Sequence, residues 1–345
     1  MPMNTPHYLQ TEPPAIGDGK AVEIAEGVLW LRMPVGGRLQ AINVWALADG
    51  DGWTIVDTGW KTPETQAAWQ EAMQHELRGL PVRRIIVTHM HPDHSGMAGW
   101  LAREQGAPLC MTRLEYLTLR AIVSYMPGEP PAEAVAFYRS AGWDDAAVQY
   151  YSKRFGTFGI AVSAVPDSFV ALEDGQIIPI GERKWEIVVG KGHSPEHAML
   201  YCRKSDLLIS GDQVLPEISS NVSVQPLEPE ADPLDDWLTS LAAIRERVAD
   251  TTLVLPAHGQ PFHGLHDRVE AVETGHAVAL ERLLALLDEP KRAIDVFGAL
   301  FKRPISQSTL ILATGESLAH LALLTGRGQA RRERDASGVY WWRAR

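Results

Sequence analysis

Four side chains that can bind metal ions stand within six residues, in the segment Thr88-His89-Met90-His91-Pro92-Asp93-His94-Ser95-Gly96. The segment follows an apolar run, Arg84 to Thr88, that is typical of a buried strand, and a helix is expected after it. Such a density of imidazole and carboxylate groups is unusual for a surface loop and suits zinc, iron or manganese. The chain must therefore fold so that a rigid strand end holds this cluster.

Three later segments repeat the layout, because each places a potentially ligating side chain just after an apolar strand. They are Trp185 to Val189 before Gly192-His193, Leu207 to Ser210 before Gly211-Asp212, and Thr252 to Leu255 before Ala257-His258. Loops at strand ends are where a rigid scaffold can hold functional groups accurately. The recurrence is stronger evidence for one shared site than any single histidine.

The first part of the chain reads as strands followed by a helix. Val28 to Met33, Asn43 to Leu47 and Trp53 to Val56 are β-rich, and the turn sequence Asp49-Gly50-Asp51-Gly52 joins the last two as a hairpin. Thr62 and Pro63 are typical of the cap and the first turn of a helix.

Two segments differ from this pattern. Residues 112–169 hold five of the eight tyrosines and predict a largely helical insert. Near the end, a long amphipathic helix from His266 to Leu287 precedes two helices, Ala293 to Phe301 and Leu310 to Leu324. A hairpin follows at 329–342, so the tail has a helix-helix-hairpin pattern of the winged-helix kind.

The length of 345 residues exceeds what one hydrophobic core usually organises. We expect a flexible N-terminus at residues 1–20, a main domain at 21–265 and a smaller domain at 266–345. Because no secretory signal or membrane-spanning run is found, the sequence favours a cytoplasmic protein. Cys110 and Cys202 lie far apart in apolar runs, which predicts buried free thiols rather than a disulfide.

Charge is distributed unevenly between these domains. The net charge is −11, but from Pro290 onward ten Lys or Arg and four Asp or Glu residues give +6, which leaves −17 for the rest. The acidic body argues against a general binder of nucleic acids or anionic membranes.

The motif from His89 to His94, with Val56-Asp57-Thr58-Gly59 upstream, resembles that of the metallo-β-lactamase superfamily. The resemblance continues in order through Gly192-His193-Ser194-Pro195, Gly211-Asp212 and His258-Gly259, and covers nearly all of residues 20–265. It implies an α/β fold, an αββα sandwich with two mixed sheets between outer helices and two metal ions, zinc above all, at one edge. The tail resembles more weakly the winged-helix domain attached to some of these hydrolases.

The resemblance also implies a ligand set of five histidines and two aspartates. One ion would be held by His89, His91 and His193, the other by Asp93, His94 and His258, and Asp212 would bridge them. Two carboxylates and a bridging hydroxide offset the repulsion between two divalent ions. Asp57 would orient a ligand or the strand end, and a carboxylate satisfied by turn amides is an alternative compatible with this role. His197 and His263 could approach the site, but a structural role is expected for both, as for the remaining histidines.

This ligand set predicts a hydrolase in which a hydroxide bridging two metal ions attacks the substrate, with Asp93 orienting it and moving its proton. True metallo-β-lactamases have cysteine or serine where this chain has Asp212, so the thioesterase, lactonase and nuclease branches are more similar. We therefore expect a small acyl substrate, a thioester or lactone, with the tyrosine-rich insert forming part of the pocket wall.

Two alternatives stay open from the sequence alone. An endoribonuclease acting on single-stranded RNA would use the basic tail and stack bases on the insert's tyrosines, although the acidic body opposes a polyanion. A metal-binding regulator that contacts DNA through its winged helix is the other alternative, but it would not use its complete ligand set for catalysis. The apolar positions of the helix at 266–287 could pack against the main domain or against a second subunit, as in a homo-oligomer.

Overall fold

Two mixed β-sheets pack face to face in the computed structural model, which describes residues 6–37, 39–125 and 127–345. Within these residues the first sheet has seven strands, in spatial order β2 (Val22–Ala25), β3 (Val28–Pro34), β4 (Ala41–Ala48), β5 (Trp53–Val56), β6 (Val82–Ile86), β7 (Leu109–Thr112) and β8 (Val170–Leu172). Strands β2 to β5 are antiparallel and β5 to β8 are parallel. The predicted hairpin at Asp49–Gly52 joins β4 to β5.

The second sheet contains the later strands. Its order in the described residues is β1 (His7–Tyr8), β14 (Phe262–His263), β13 (Leu253–Pro256), β12 (Leu207–Gly211), β11 (His197–Cys202), β10 (Arg183–Gly190) and β9 (Ile177–Ile180). Among the described strands of this sheet, only β12 and β13 pair in parallel. Strand β1 pairs with β14, and the Tyr8 hydroxyl donates to Glu217 at 2.9 Å. Part of the N-terminal stretch expected to be flexible thus has defined contacts, while residues 1–5 lie outside the described residues.

Helices cover both outer faces of the sandwich. They are α1 (Pro63–Gln74), α2 (Pro92–Ser95), α3 (Ala98–Gln105), α4 (Arg113–Val123), α5 (Ala132–Ser140), α6 (Asp145–Arg154), α7 (Pro233–Arg247), α8 (Leu265–Leu286), α9 (Phe297–Leu300) and α10 (Leu310–Gly326). The Thr62 side chain caps α1, as predicted. Because helices flank two stacked sheets, the predicted αββα sandwich is confirmed.

Large apolar side chains hold the layers together. Between the sheets, Trp30 and Trp45 stack with their ring centroids 6.1 Å apart, and Trp185 is fully buried in the same cluster. Trp69 of α1 belongs to the core beneath the first sheet, and Trp237 of α7 to the core beneath the second. Full burial of a large apolar side chain contributes about 1.5–3 kcal/mol, so these layers rigidify the strand ends.

The C-terminal region packs against the second sheet rather than standing apart. Side chains of α8 and α10, such as Leu283 and Leu321, belong to the core cluster that contains Trp237. The hairpin of β15 (Ala330–Arg334) and β16 (Tyr340–Ala344) completes the chain. The tail therefore shares a core with the main domain.

The structure can be compared with three local predictions, for the end of β6, the helix at 293–301 and the two cysteines. Strand β6 ends at Ile86, so Thr88 lies in the loop, where its backbone N–H donates to Asp57 rather than to a sheet partner. The helix predicted at 293–301 is instead a 3-10 turn, Ala293–Val296, followed by the single turn of α9, because Phe301 adopts an extended backbone. Cys110 and Cys202 are free and buried, as predicted.

Candidate metal centre

Four loop segments meet at one edge of the sandwich, and the seven predicted ligand side chains all lie there. His89 and His91 follow β6, and Asp93 and His94 lie in α2. The second sheet provides the other three, from the loops after β10, β12 and β13: His193, Asp212 and His258. Both sheets therefore contribute to one site.

Three imidazoles form the first ligand trio, defined as His89, His91 and His193. Their facing nitrogens, Nε2 of His89, Nδ1 of His91 and Nε2 of His193, are separated by 2.8, 3.1 and 3.2 Å. A tetrahedral zinc ion with bonds of about 2.0–2.1 Å needs ligand atoms roughly 3.3 Å apart. The trio is thus close to the spacing that one such ion requires.

The second ligand trio comprises Asp93, His94 and His258. Asp93 Oδ2 lies 3.2 Å from His258 Nε2 and 3.8 Å from His94 Nε2. These three side chains can also hold one ion among them.

Asp212 lies between the two trios. Its Oδ2 is 3.5 Å from His193 Nε2 of the first trio. Its Oδ1 is 3.5 Å from His94 Nε2 and 3.6 Å from His258 Nε2 of the second. One carboxylate thus presents a different oxygen to each group, which is the arrangement that a bridging ligand needs.

Unsatisfied polar atoms show that the site fits metal ions. Among the described residues, His94 Nε2, His258 Nε2 and Asp212 Oδ1 are buried and have no hydrogen-bond partner. A buried polar atom without a partner costs about 1–3 kcal/mol, so three of them at one point need an explanation. Divalent cations would satisfy all three, because each atom is a lone-pair donor.

Hydrogen bonds behind three of the histidines orient their rings toward the centre. His94 Nδ1 lies 2.8 Å from Asp57 Oδ2, His258 Nδ1 lies 2.9 Å from the Ala41 carbonyl, and His193 Nδ1 lies 2.8 Å from the Asn221 carbonyl. In each case Nδ1 donates its proton, which leaves the Nε2 lone pair facing the site. Such partners fix the tautomer and orientation of metal-binding histidines.

Asp57 holds its position through an unusual backbone conformation. Its φ of 61° lies in the left-handed region, which Asp adopts more readily than most residues. Its carboxylate accepts from the Thr88 N–H at 2.8 Å and from the Thr88 hydroxyl. The carboxylate thereby ties the β5 end to the loop that begins the metal motif.

The two trios differ in electrostatics. Burial and neighbouring imidazoles lower the pKa of His89 well below its usual value and that of His91 to about 3. In the second trio burial also opposes protonation, but nearby carboxylates raise the pKa of His94 and His258. His89 and His91 therefore present neutral nitrogens, while the carboxylates around the second trio make it a region of negative charge that attracts cations.

His197 lies directly beneath the site although it is not in either trio. Its ring stacks on His89 with centroids 4.8 Å apart, and its Nε2 accepts from the Asp212 backbone N–H at 3.0 Å. A Cβ at Gly211 would lie 2.5 Å from this ring, so only glycine permits the approach. The expected structural role of His197 is thus a contact that positions Asp212, whereas His263 lies in β14 and bonds the Thr251 carbonyl.

Glu115 is a site residue that the sequence did not indicate. This fully buried carboxylate of α4 accepts from the Met90 N–H at 2.9 Å and from the Glu196 N–H at 2.8 Å. It therefore clamps the loop carrying His89 and His91 to the loop carrying His193. Burial raises its pKa. A single acidic residue in an amphipathic helix gives no sequence signal that separates such a clamp from a surface carboxylate.

Comparison with protein families gives two matches. The model of the metallo-beta-lactamase superfamily matches residues 37–258, and that of the metallo-beta-lactamase-like C-terminal domain matches residues 280–345. The first match contains all seven residues of the site.

Individual proteins are also similar over most of the chain. The crystal structure of a beta-lactamase domain protein from Burkholderia ambifaria is 37% identical, with a TM-score of 0.90, and the match covers 99% of this chain and 98% of that one. The probable metallo-hydrolase YqjP of Bacillus subtilis is 24% identical over 87% of this chain and 92% of its own length. The acyl-coenzyme A thioesterase MBLAC2 of Homo sapiens is 24% identical over 55% of this chain and 64% of its own.

Proposed function

The chain belongs to the metallo-beta-lactamase superfamily and is a metal-binding hydrolase, and from this we propose that it hydrolyses a small ester-type substrate at a centre of two divalent ions. The substrate class is a thioester, a lactone or a similar acyl compound, and zinc is the expected metal. We also propose a domain boundary near residue 265, which lies between the two matched regions.

The position of Asp212 is the observation that carries the two-ion proposal. Its two oxygens face different trios at 3.5–3.6 Å. A carboxylate that binds a single ion would need to approach only one of the two trios. Two carboxylates, Asp93 and Asp212, also offset part of the charge of two cations held close together.

Bound divalent ions supply Lewis acidity and lower the pKa of a water molecule, which makes a nucleophile available at neutral pH. The chain provides the groups around that chemistry. Burial opposes ionisation of Asp93, but His94 and His258 lower its pKa below the usual value. Asp93 is therefore a carboxylate at neutral pH, and its oxygens can accept the proton of the attacking water.

The comparisons support an acyl substrate more than a nucleic acid. A relative matching over half of the chain is named an acyl-coenzyme A thioesterase. The basic tail also uses some of its charge internally, since Arg332 donates to Glu230 at 2.8 Å and lies over the Tyr340 ring. An endoribonuclease stays the second candidate because the tail is net basic.

Turnover of a substrate panel by protein of defined metal content tests the proposal. The panel contains thioesters, lactones, phosphodiesters and single-stranded RNA, and Asp93→Asn at equal metal content is the control for contaminating activity. We expect hydrolysis of thioesters or lactones that disappears in the control. Cleavage of RNA without acyl turnover would contradict the proposal and favour the second candidate.

In the described part of the chain, no helix has the length and apolar character needed to cross a membrane.

A further inference from the structure

A path of hydrogen bonds leads from His193 out of the main domain to α10 in the C-terminal region. His193 Nδ1 lies 2.8 Å from the carbonyl oxygen of Asn221. The side-chain amide of Asn221 donates to Glu316 Oε2 of α10 at 2.8 Å. Residues 95 positions apart in sequence are thus joined directly behind one ligand of the first trio.

The loop containing Asn221 is held against α10 at several further points. The Val224 N–H donates to the Gly315 carbonyl at 3.1 Å. The Ser223 hydroxyl donates to Asn221 Oδ1 at 2.5 Å, so both ends of the Asn221 amide have a partner. A Cβ at position 315 would lie 2.7 Å from Ser223, which means that the glycine allows the loop to approach. The amide is therefore held in one orientation.

The position of Glu316 disfavours the ionised form of its carboxyl group. Burial raises the pKa of its carboxyl to about 7, and the hydrogen bond from Asn221 only partly opposes this. Leucine and alanine side chains of α10 already supply its packing, for example Leu318, Ala319 and Leu321 in the core cluster. A partly buried carboxylate is not needed for that packing, so a different role must explain it.

We infer that α10 contributes to metal binding at the centre, with Glu316 as a positioning residue. Glu316 fixes the Asn221 side chain, and with it the carbonyl that accepts the Nδ1 proton of His193. This keeps the His193 Nε2 lone pair directed at His89 and His91. The C-terminal region, which provides none of the seven ligands, thereby sets how tightly the first trio binds metal.

Metal affinity is the measurement that tests this inference, and it requires no knowledge of the substrate. Metal-free full-length protein is titrated with Zn²⁺ in competition with a chromophoric chelator. Glu316→Ala removes the closer acceptor of the Asn221 amide, at 2.8 Å, and leaves only the Leu312 carbonyl at 3.5 Å. We expect affinity to fall about tenfold, the lower end of the loss seen when partners behind metal ligands are removed. Glu316→Gln keeps an oxygen acceptor at the same position and should bind as the wild type does.

Two further variants separate positioning from general damage. Thr314 lies two residues before Glu316 on α10, and its hydroxyl accepts a hydrogen bond from Trp143 Nε1 at 2.9 Å. Thr314→Val removes this hydrogen bond. It should lower the melting temperature without changing affinity. Asn221→Ala keeps the main-chain carbonyl but loses the side-chain link, so it should reproduce Glu316→Ala, and the double variant should bind no more weakly than either single variant.

The inference rests on the proposed ligand role of His193, and His193→Ala distinguishes the two failures. If His193→Ala weakens binding while Glu316→Ala does not, the role of α10 is overturned and the ligand set stands. If neither variant weakens binding, the ligand set itself is wrong. Equal losses in Glu316→Ala and Thr314→Val would also overturn the inference, because they would show only that a loosened C-terminal region disturbs the site.

Discussion

The two ligand trios lie side by side but hold their shape in different ways. The first trio, His89, His91 and His193, is made only of imidazoles, two of which have pKa values lowered by burial and by neighbouring imidazoles. The second trio combines two imidazoles with Asp93, and further carboxylates raise the pKa of both histidines. Metal binding by the first trio depends on the direction of its imidazole lone pairs, and metal binding by the second depends on charge. Substitutions that change charge should therefore distinguish the two trios.

Asp212→Ala should have the largest effect because it acts on both trios. Loss of the shared carboxylate leaves His193 on one side, and His94 and His258 on the other, without their common partner. We expect bound metal to fall below two ions per chain. Turnover should fall further than the loss of about 10²–10⁴-fold that is attributed to a general base alone. Elemental analysis and turnover on the best substrate of the panel measure both. An unchanged metal count with full activity would rule out the bridge.

Asp93→Asn should be next in size and should act mainly on turnover. An amide oxygen can still approach a cation weakly, but the amide cannot accept a proton from the attacking water. We expect turnover to fall about 10²–10⁴-fold at matched metal content. Variant and wild type with similar rates, each carrying the same amount of metal, would exclude a proton-transfer role for this residue.

Asp57→Asn should weaken the second trio more than the first, because Asp57 contacts the His94 ring directly and reaches the first trio only through Thr88. The amide nitrogen of asparagine can face His94 Nδ1, which favours the tautomer with its proton on Nε2, the atom that faces the centre. We expect about 10–100-fold weaker binding of one ion and little change for the other. Two-site zinc titration is the measurement. A uniform loss at both sites would mean that Asp57 supports the loop as a whole.

Glu316→Gln should have the smallest effect, on stability alone. The folded protein raises the pKa of Glu316 to about 7 from the usual 4.5, so the fold favours the protonated form. As pH rises from about 4.5 through 7, the wild type must bury the ionised carboxylate and loses stability that the glutamine variant keeps. The variant should become more stable than the wild type by about 1–3 kcal/mol above pH 7.

Denaturant unfolding of metal-free protein at pH 5.5 and pH 8 measures this difference. The gap between variant and wild type should widen at the higher pH. A gap that does not change with pH would show that the Glu316 carboxyl titrates normally in the folded protein.

The side chains that the sequence singled out for the site are marked by local information. The spacing from His89 to His94 and the strand-end positions of His193, Asp212 and His258 follow from patterns within a few residues, and the structure brings these side chains together. Glu115 could not be found in this way, because its partner Glu196 is 81 residues away. Asn221 acts on His193 through its backbone carbonyl, which carries no side-chain signal.

The strand boundaries were also predicted closely, and the apolar positions of the long helix predicted packing against the main domain or a second subunit. The charge asymmetry from Pro290 onward indicated two electrostatically distinct modules. The apolar side chains of α8 and α10 share a core with Trp237, and Trp143 of the insert donates to Thr314. Net charge describes the surface of a segment and does not report which of its apolar faces will be covered.

Ligands drawn from both sheets make any bound ion a cross-link between the two halves of the sandwich. His89 and His193 are 104 residues apart, and His258 bonds the carbonyl of Ala41 across 217 residues, so the pocket exists only after both sheets have formed and docked. An ion that binds only the assembled form stabilises it by mass action, by about 4 kcal/mol at a free concentration a thousand times the dissociation constant. The thermal resistance of this protein would then report the metal supply of its surroundings.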